Sequence, residues 1–211
     1  MSDMRDQPAL QYSVTVDRAL SDIRYWAKFH DVLPACIEPV LEDAQFLLCP
    51  GSVDKHHAFA HGLLIHTYEV AYLARQASFG YPAARVAELL VAAIWHDYGK
   101  IQDYQFADSE EDYKQEEVYK LPTAELIRHV ANSYAAWDRH ARAMGMSTAT
   151  RELVGHLILS HHGRREWGSP VEPTCCESLI LAQADYQSAK CPMFDSRGVP
   201  VSVLDLKLRG T

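Results

Sequence analysis

The sequence lacks any long apolar segment. No stretch reaches the roughly 18 consecutive apolar residues that a membrane-spanning helix needs, and the opening residues MSDMRDQPALQYSV lack the apolar core of a secretory signal peptide. The five cysteines are an odd number, and none falls in a CxxC pair with a second pair downstream, which argues against a zinc ribbon. We therefore expect no membrane contact, a cytoplasmic location and free thiols.

Basic residues are also scarce. Lysine and arginine number 20 against 28 aspartates and glutamates, which gives a formal net charge of −8. Such a surface repels polyanions, so binding of long nucleic acid would require a local basic patch or a metal ion. The composition is otherwise that of a globular protein, and 211 residues predict a single domain. Within it we expect N-terminal helices over 1–50, a core over 56–190 and a C-terminal tail over 191–211.

Apolar residues recur at helical spacing along most of the chain, which predicts an all-α bundle of about six to seven helices. The segment AELLVAAIW is apolar nearly all round, so it predicts the central buried helix, which ends at His96-Asp97. The polar segment 101–120 predicts a small β-hairpin or a flexible loop, and 164–174 predicts a loop. The predicted helices cover 13–30, 33–48, 59–77, 83–95, 123–144, 148–162 and 175–190, with Thr123 as a candidate N-cap.

Histidine is the residue type in excess, and several ionisable residues fall on apolar helix faces. A carboxylate buried alone would be driven neutral, whereas carboxylates and imidazoles that converge on a divalent metal satisfy one another. The pattern therefore predicts a buried metal site. Seven of the 11 histidines lie in two short clusters: His56, His57, His61, His66, His156, His161 and His162. The inward positions are His161 after Leu157 and Ile158, Asp185 after Leu181 and Ala182, His129 after Leu126 and beside Val130, and His96-Asp97 at the end of the central helix.

Five motifs in this order carry a family resemblance: HHAFAHGLLIHTYEV, AAIWHDYGK, IRHV, HLILSHHG and QAD. Together they resemble the HD superfamily of metal-dependent phosphohydrolases, over about residues 56–190. Within that superfamily, residues 56–67 and 160–190 look most like the HD domain of YhaM-like 3′→5′ exoribonucleases, although the HD part of conjugative relaxases is also similar. YhaM-like enzymes carry an additional oligonucleotide-binding barrel, and the first 50 residues here fit no such module, so we expect a short substrate.

The resemblance implies a set of metal ligands. His66, His96, Asp97 and Asp185 would hold one ion, and Asp97 could bridge to a second ion held by His129 and His161. His162 adjoins His161 and could take its place. The implied cofactor is one or two divalent ions, with Mn²⁺ favoured and Mg²⁺, Fe²⁺, Co²⁺, Ni²⁺ or Zn²⁺ as alternatives.

Such ions acidify a bound water and neutralise charge on a phosphoryl group, which is the chemistry of phosphoester hydrolysis. The expected catalytic residues are Asp97, Lys100, whose ammonium would meet the phosphate, and His61, which would donate a proton to the leaving oxygen. The expected substrate contacts are Lys100, His56, His57, Arg164, Arg165, Glu166 and Trp167, because an arginine pair beside an indole suits a nucleotide.

The sequence leaves several functions open. The first is hydrolysis of phosphodiester bonds at nucleic-acid ends or in short oligonucleotides, in the manner of a 3′-5′ exonuclease. The second is a nucleotidase or nucleoside-triphosphate hydrolase that uses the same metal centre. Oxidation at a di-iron centre and partner binding without catalysis are weaker readings, and a homo-oligomer is left open.

Overall fold

The computed structural model describes residues 14–201 and confirms an all-α fold. Over this range there are eight α-helices, two of them single turns. The start of the first predicted helix at Ser13 and the tail beyond residue 201 lie outside the described residues. The helices are α1 (Val16–Phe29), α2 (Glu38–Leu41), α3 (Ala44–Leu48), α4 (Gly62–Ser78), α5 (Val86–Trp95), α6 (His129–Ala143), α7 (Thr148–Ser160) and α8 (Cys176–Lys190).

The single helix predicted over 33–48 is wrong, because this segment is divided into three short pieces. A 3₁₀ turn covers Pro34–Cys36 and is followed by α2 and α3. Pro34 and Pro39 stand in the first positions of separate pieces, where a missing backbone N–H costs nothing. The Asp43 side chain then caps α3 by accepting from the backbone N–H groups of Gln45 (2.8 Å) and Phe46 (3.3 Å).

The helix predicted to begin at Thr123 begins six residues later, at His129. Residues Pro122–Glu125 form a 3₁₀ turn instead. The buried carboxylate of Asp103 accepts from the His129 backbone N–H at 3.2 Å, so it satisfies one of the free N–H groups at the start of α6. Leu126 is 81% exposed and does not belong to the apolar face of α6.

The predicted hairpin within 101–120 is confirmed. Strands β1 (Tyr104–Gln105) and β2 (Tyr119–Lys120) pair antiparallel, with Tyr104 opposite Lys120 and Gln105 opposite Tyr119. Strand β1 begins directly after Asp103, the residue that accepts from the His129 backbone N–H.

Helix α5 occupies the centre of the bundle, as predicted. Its residues from Leu89 to Trp95 are all buried, and α4, α7 and α8 pack against it. Trp95 also contacts the fully buried Trp137 of α6, with ring centroids 5.9 Å apart. This packing brings α4, α7 and α8 around the carboxyl end of α5, where His96 and Asp97 lie.

The five cysteines are unpaired, as expected. None of the described helices is both long and apolar enough to cross a lipid bilayer.

Candidate metal centre

The central helix delivers His96 and Asp97 to the interior of the bundle. His96 is fully buried at the end of α5, and Asp97 is 2% exposed. A 3₁₀ turn over Tyr98–Gln102 then redirects the chain. At Gly99 a side chain would collide with the His129 backbone carbonyl, so glycine at this position allows the start of α6 to approach Asp97 closely.

A first cluster of candidate ligands contains His66 of α4, His96, Asp97 and Asp185 of α8. One ligand atom from each lies within 4.8 Å of the others. The His66 Nε2 atom is 3.1 Å from Asp185 Oδ1, 3.2 Å from His96 Nε2 and 3.4 Å from Asp97 Oδ2. The four residues that the sequence assigns to one ion are therefore brought together.

A second cluster lies on the other oxygen of Asp97. Asp97 Oδ1 is 3.3 Å from His129 Nε2 and 3.5 Å from His161 Nε2, and His162 Nε2 is 3.4 Å from His129 Nε2. Ligand atoms of all four residues again lie within 4.8 Å of one another. The sequence left His161 and His162 as alternatives, and the structure places both in this cluster, with Asp97 between the two groups.

Two of the ring nitrogens that face away from the clusters are hydrogen-bonded to backbone carbonyls, and a third lies near a carboxylate. His96 Nδ1 lies 2.7 Å from the Ala93 carbonyl, and His161 Nδ1 lies 2.7 Å from the Ile158 carbonyl. His129 Nδ1 is 3.3 Å from Asp103 Oδ2. An Nδ1–H that donates to these acceptors leaves the Nε2 lone pair directed at the cluster, which is the tautomer that a metal requires.

Buried polar atoms at the centre fit a cation. Within the described part of the chain, Asp97 Oδ1 and His161 Nε2 are buried without a hydrogen-bond partner. Burial alone would lower the pKa of His66, but hydrogen bonds to Asp185 and Asp97 outweigh it and raise the pKa to about 9. Burial likewise fails to raise the pKa of Asp97, since Lys100 and His96 hold it well below its usual range. The carboxylates thus create a negative potential that favours a divalent cation.

Lys100 is buried against the centre. Its Nζ atom lies 2.6 Å from Asp97 Oδ2 and donates to the Gly51 carbonyl at 2.8 Å. The ammonium therefore pairs with the carboxylate that both clusters share. A contact between Lys100 and a substrate phosphate stays a prediction.

The histidines His56, His57 and His61, which precede His66 in the first sequence cluster, take different positions. His56 and His57 come close to His66, with ligand atoms of the three within 4.8 Å of one another. His61 does not join them: its Nδ1 atom is 2.7 Å from the Leu47 carbonyl and its Nε2 atom is 3.4 Å from Glu110 Oε2. The geometry therefore offers no support for proton donation by His61.

The segment after His162 lies at the edge of the second cluster. Arg165–Trp167 form a 3₁₀ turn inside the predicted loop, and Glu166 between them is exposed. Gly168 has a φ of +100° and lies so close to the His162 ring that an added Cβ would be 3.4 Å from Nδ1. This contact positions the turn, including its neighbour Arg164, beside the histidines.

A buried chain of hydrogen bonds connects His66 through Ser188 to Glu69, and we call it the relay. It was not predicted from the sequence. His66 Nδ1 is 2.9 Å from Ser188 Oγ, and the Ser188 hydroxyl donates to Glu69 Oε2 at 2.6 Å. The other oxygen of Glu69 accepts from the backbone N–H groups of Met193 (2.8 Å) and Phe194 (3.0 Å). Glu69 and Ser188 each stand three residues after a candidate ligand, His66 and Asp185, and this spacing was the available signal.

The relay leads to a prediction about metal affinity. Because Glu69 accepts the Ser188 hydroxyl, Ser188 accepts the Nδ1–H of His66, which leaves Nε2 as the nitrogen that a metal would bind. We expect Glu69→Ala and Ser188→Ala to weaken Mn²⁺ binding about 10- to 100-fold, the usual cost of losing a group behind a ligand. Glu69→Gln should not restore affinity, because Ser188 and the Met193 backbone donate to different oxygens of Glu69, and glutamine replaces one of them with an NH₂ donor. Titration of Mn²⁺ by calorimetry would measure the change.

The matched control is Ser178→Ala on the same helix. Ser178 is fully buried, but it accepts from the backbone N–H of Cys175 (3.0 Å) at the start of α8. Its loss should lower the melting temperature without changing Mn²⁺ affinity. Wild-type affinity in both Glu69 variants would contradict the role of the relay.

Comparison with known proteins gives a match to the HD domain over residues 63–190. The 3′-5′ exoribonuclease YhaM of Bacillus subtilis (strain 168) is 31% identical over 153 residues, which cover 72% of this chain and 46% of that protein. Proteins of the same name are 30% identical over 153 residues in Geobacillus sp. (strain WCH70), covering 72% and 45%, and 31% identical over 146 residues in Listeria welshimeri serovar 6b, covering 69% and 44%. The chain thus spans about half the length of the curated relatives it matches. No solved structure gives a significant match.

Proposed function

The chain belongs to the HD-domain family, and from this membership we propose that it is a metal-dependent phosphohydrolase that cleaves phosphodiester bonds at nucleic-acid ends or in short oligonucleotides. The relatives named as 3′-5′ exoribonucleases support a nucleic-acid substrate and removal of nucleotides from the 3′ end. Because about half of each relative is unmatched by this chain, the length and the type of the substrate are part of the proposal.

One observation carries the proposal: Asp97 lies between two compact groups, each with three further candidate ligands. The first group supplies His66, His96 and Asp185, and the second supplies His129, His161 and His162. These residues would hold two divalent ions, which would supply an acidified water and charge neutralisation for a phosphoryl group. A mixed set of imidazoles and carboxylates suits Mn²⁺, which we favour, as well as Fe²⁺, Co²⁺, Ni²⁺ or Zn²⁺, with Mg²⁺ less suited to so many imidazoles.

The protein side chains have separate tasks in this proposal. The Lys100 ammonium compensates the buried negative charge of Asp97 and also donates a hydrogen bond to the Gly51 carbonyl. His56 burial lowers its pKa to about 2, so the imidazole is neutral and can act as a hydrogen-bonding partner of substrate beside the first group. Arg164 and Arg165 lie on the turn next to His162 and would meet the phosphates of a nucleotide.

A substrate panel tests the proposal. We expect the purified protein with Mn²⁺ to shorten single-stranded RNA or DNA of 2 to about 10 nucleotides from the 3′ end, releasing nucleoside 5′-monophosphates. Short substrates are favoured because a net charge of −8 works against long polyanions. Chromatography of the products measures the reaction.

The same panel includes free nucleoside mono-, di- and triphosphates, which a nucleotidase would prefer. Hydrolysis of nucleotides with no cleavage of any oligonucleotide would overturn the proposal. Oxygen uptake by the iron-loaded protein serves as a second control, and we expect none.

A further inference from the structure

Two exposed aromatic rings stack on each other beside the candidate metal centre. Trp167, on the turn after α7, and Tyr186, on α8, have ring centroids 5.6 Å apart and planes inclined by 17°. Trp167 is 53% exposed and Tyr186 is 50% exposed, so the pair leaves about half of its surface to solvent. A contact that served only to bury apolar area would hide more of both rings.

The two rings are connected to both ligand groups. Tyr186 directly follows Asp185, a candidate ligand of the first group. Trp167 directly precedes Gly168, which lies against the ring of His162 in the second group. Tyr186 is thus the chain neighbour of a ligand of the first group, and Trp167 is the chain neighbour of a glycine that contacts a ligand of the second.

Two cations accompany the rings. The Arg164 guanidinium is 5.1 Å from the Trp167 ring centroid, and the Lys190 ammonium is 6.0 Å from the Tyr186 centroid. Among residues 14–201, neither cation makes an ion pair with a carboxylate. Both are thus available to phosphates, on a protein whose overall charge repels them.

We propose that Trp167 and Tyr186 form a stacking platform for a base of single-stranded nucleic acid, with Arg164 and Lys190 contacting the adjoining phosphates. This inference rests on the proposed function and specifies how its substrate is held. Stacking on aromatic rings tolerates every base, so the platform holds a single strand without selecting a sequence. A duplex end, whose bases already stack on one another, would have to fray before it could use the platform.

Binding to a labelled deoxyadenosine decamer, measured by fluorescence anisotropy in EDTA, separates the platform from hydrolysis. The full chain and a Trp167→Ala/Tyr186→Ala variant are compared on this decamer and on an abasic oligomer of equal length and charge. We expect the double variant to bind the decamer about 5- to 150-fold more weakly and the abasic oligomer unchanged. Arg164→Ala/Lys190→Ala should weaken both oligomers and reduce the salt dependence of binding.

The controls are Trp167→Phe and Tyr186→Phe, which keep a ring and should retain most of the affinity, and Leu179→Ala. Leu179 is exposed on α8 two turns before Tyr186 and should bind as the wild type does. Equal losses on both oligomers, or no loss on the decamer, would overturn the platform. Failure of the proposed function would appear separately, as a wild-type protein that binds the decamer yet does not hydrolyse it with Mn²⁺.

Discussion

Asp97→Ala is expected to lower kcat for oligonucleotide hydrolysis by about 10³-fold or more, the upper range for loss of one electrostatic group at a reacting centre. The reason is that Asp97 faces both ligand groups, with Oδ2 towards His66 and Oδ1 towards His129 and His161. Its removal weakens both groups at once, whereas loss of any histidine affects one. Single-turnover hydrolysis of a labelled oligonucleotide at saturating Mn²⁺ would measure the effect.

The same variant tests how the fold tolerates a buried ammonium. Removing Asp97 leaves Lys100, which is 7% exposed, with the Gly51 carbonyl as its remaining acceptor. Breaking a buried ion pair in this way costs about 3–5 kcal/mol. We therefore expect Asp97→Ala to keep a helical circular dichroism spectrum at 25 °C but to melt at a lower temperature than Asp97→Asn, whose amide oxygen still accepts from Lys100. Both variants should be inactive.

Asp43→Ala is the control for this pair. Asp43 caps α3 and accepts from the Tyr98 hydroxyl at 2.7 Å, outside both ligand groups. Its loss should reduce stability by about 1 kcal/mol, the cost of a helix cap, with little change in kcat. Global unfolding of Asp97→Ala at 25 °C would contradict an apolar core that folds independently of the centre.

The helices were predictable wherever one face of the chain had to be buried. Helix α5 is apolar nearly all round and is central, and the positions of His161 and Asp185 followed from the apolar residues one turn before them. Of the two neighbours from which His129 was placed near the centre, Val130 is buried but Leu126 is exposed. His129 reaches Asp97 because it begins α6 and because Gly99 allows the two backbones to approach. Because that approach is a tertiary contact, no periodic pattern in the sequence indicates it.

The residues that escaped prediction depend on contacts between distant parts of the chain. Glu69 and Ser188 lie 119 residues apart, and only the packing of α4 on α8 makes them neighbours. His57 and His61 both adopt positive φ, which turns their rings in directions that side-chain spacing does not reveal. His57 is thereby directed to Glu69, with its Nε2 atom 3.3 Å from Oε1.

Removal of divalent ions with a chelator is expected to abolish hydrolysis while the chain stays folded. The core is formed by apolar residues such as Ile94, Trp137 and Leu157, which are fully buried and are not among the candidate ligands. An ion present at about 100 times its Kd stabilises the folded state by about 2.7 kcal/mol. For a chain of this size, such a change corresponds to a melting temperature about 5–10 °C lower for each ion that chelation removes. Addition of Mn²⁺ should restore both activity and melting temperature.

The number of Mn²⁺ ions that bind again after chelation shows whether both ligand groups hold a metal. We expect two Mn²⁺ per wild-type chain by metal analysis after removal of excess ion, because Asp97 presents one oxygen to each group. His129 belongs to the second group alone. The His129→Ala variant should therefore retain one Mn²⁺, held by Asp97 together with His66, His96 and Asp185. A single ion in the wild type, unchanged in His129→Ala, would show that the second group of histidines does not hold a metal. Two ions retained in His129→Ala would instead show that His161 and His162 are sufficient partners for Asp97.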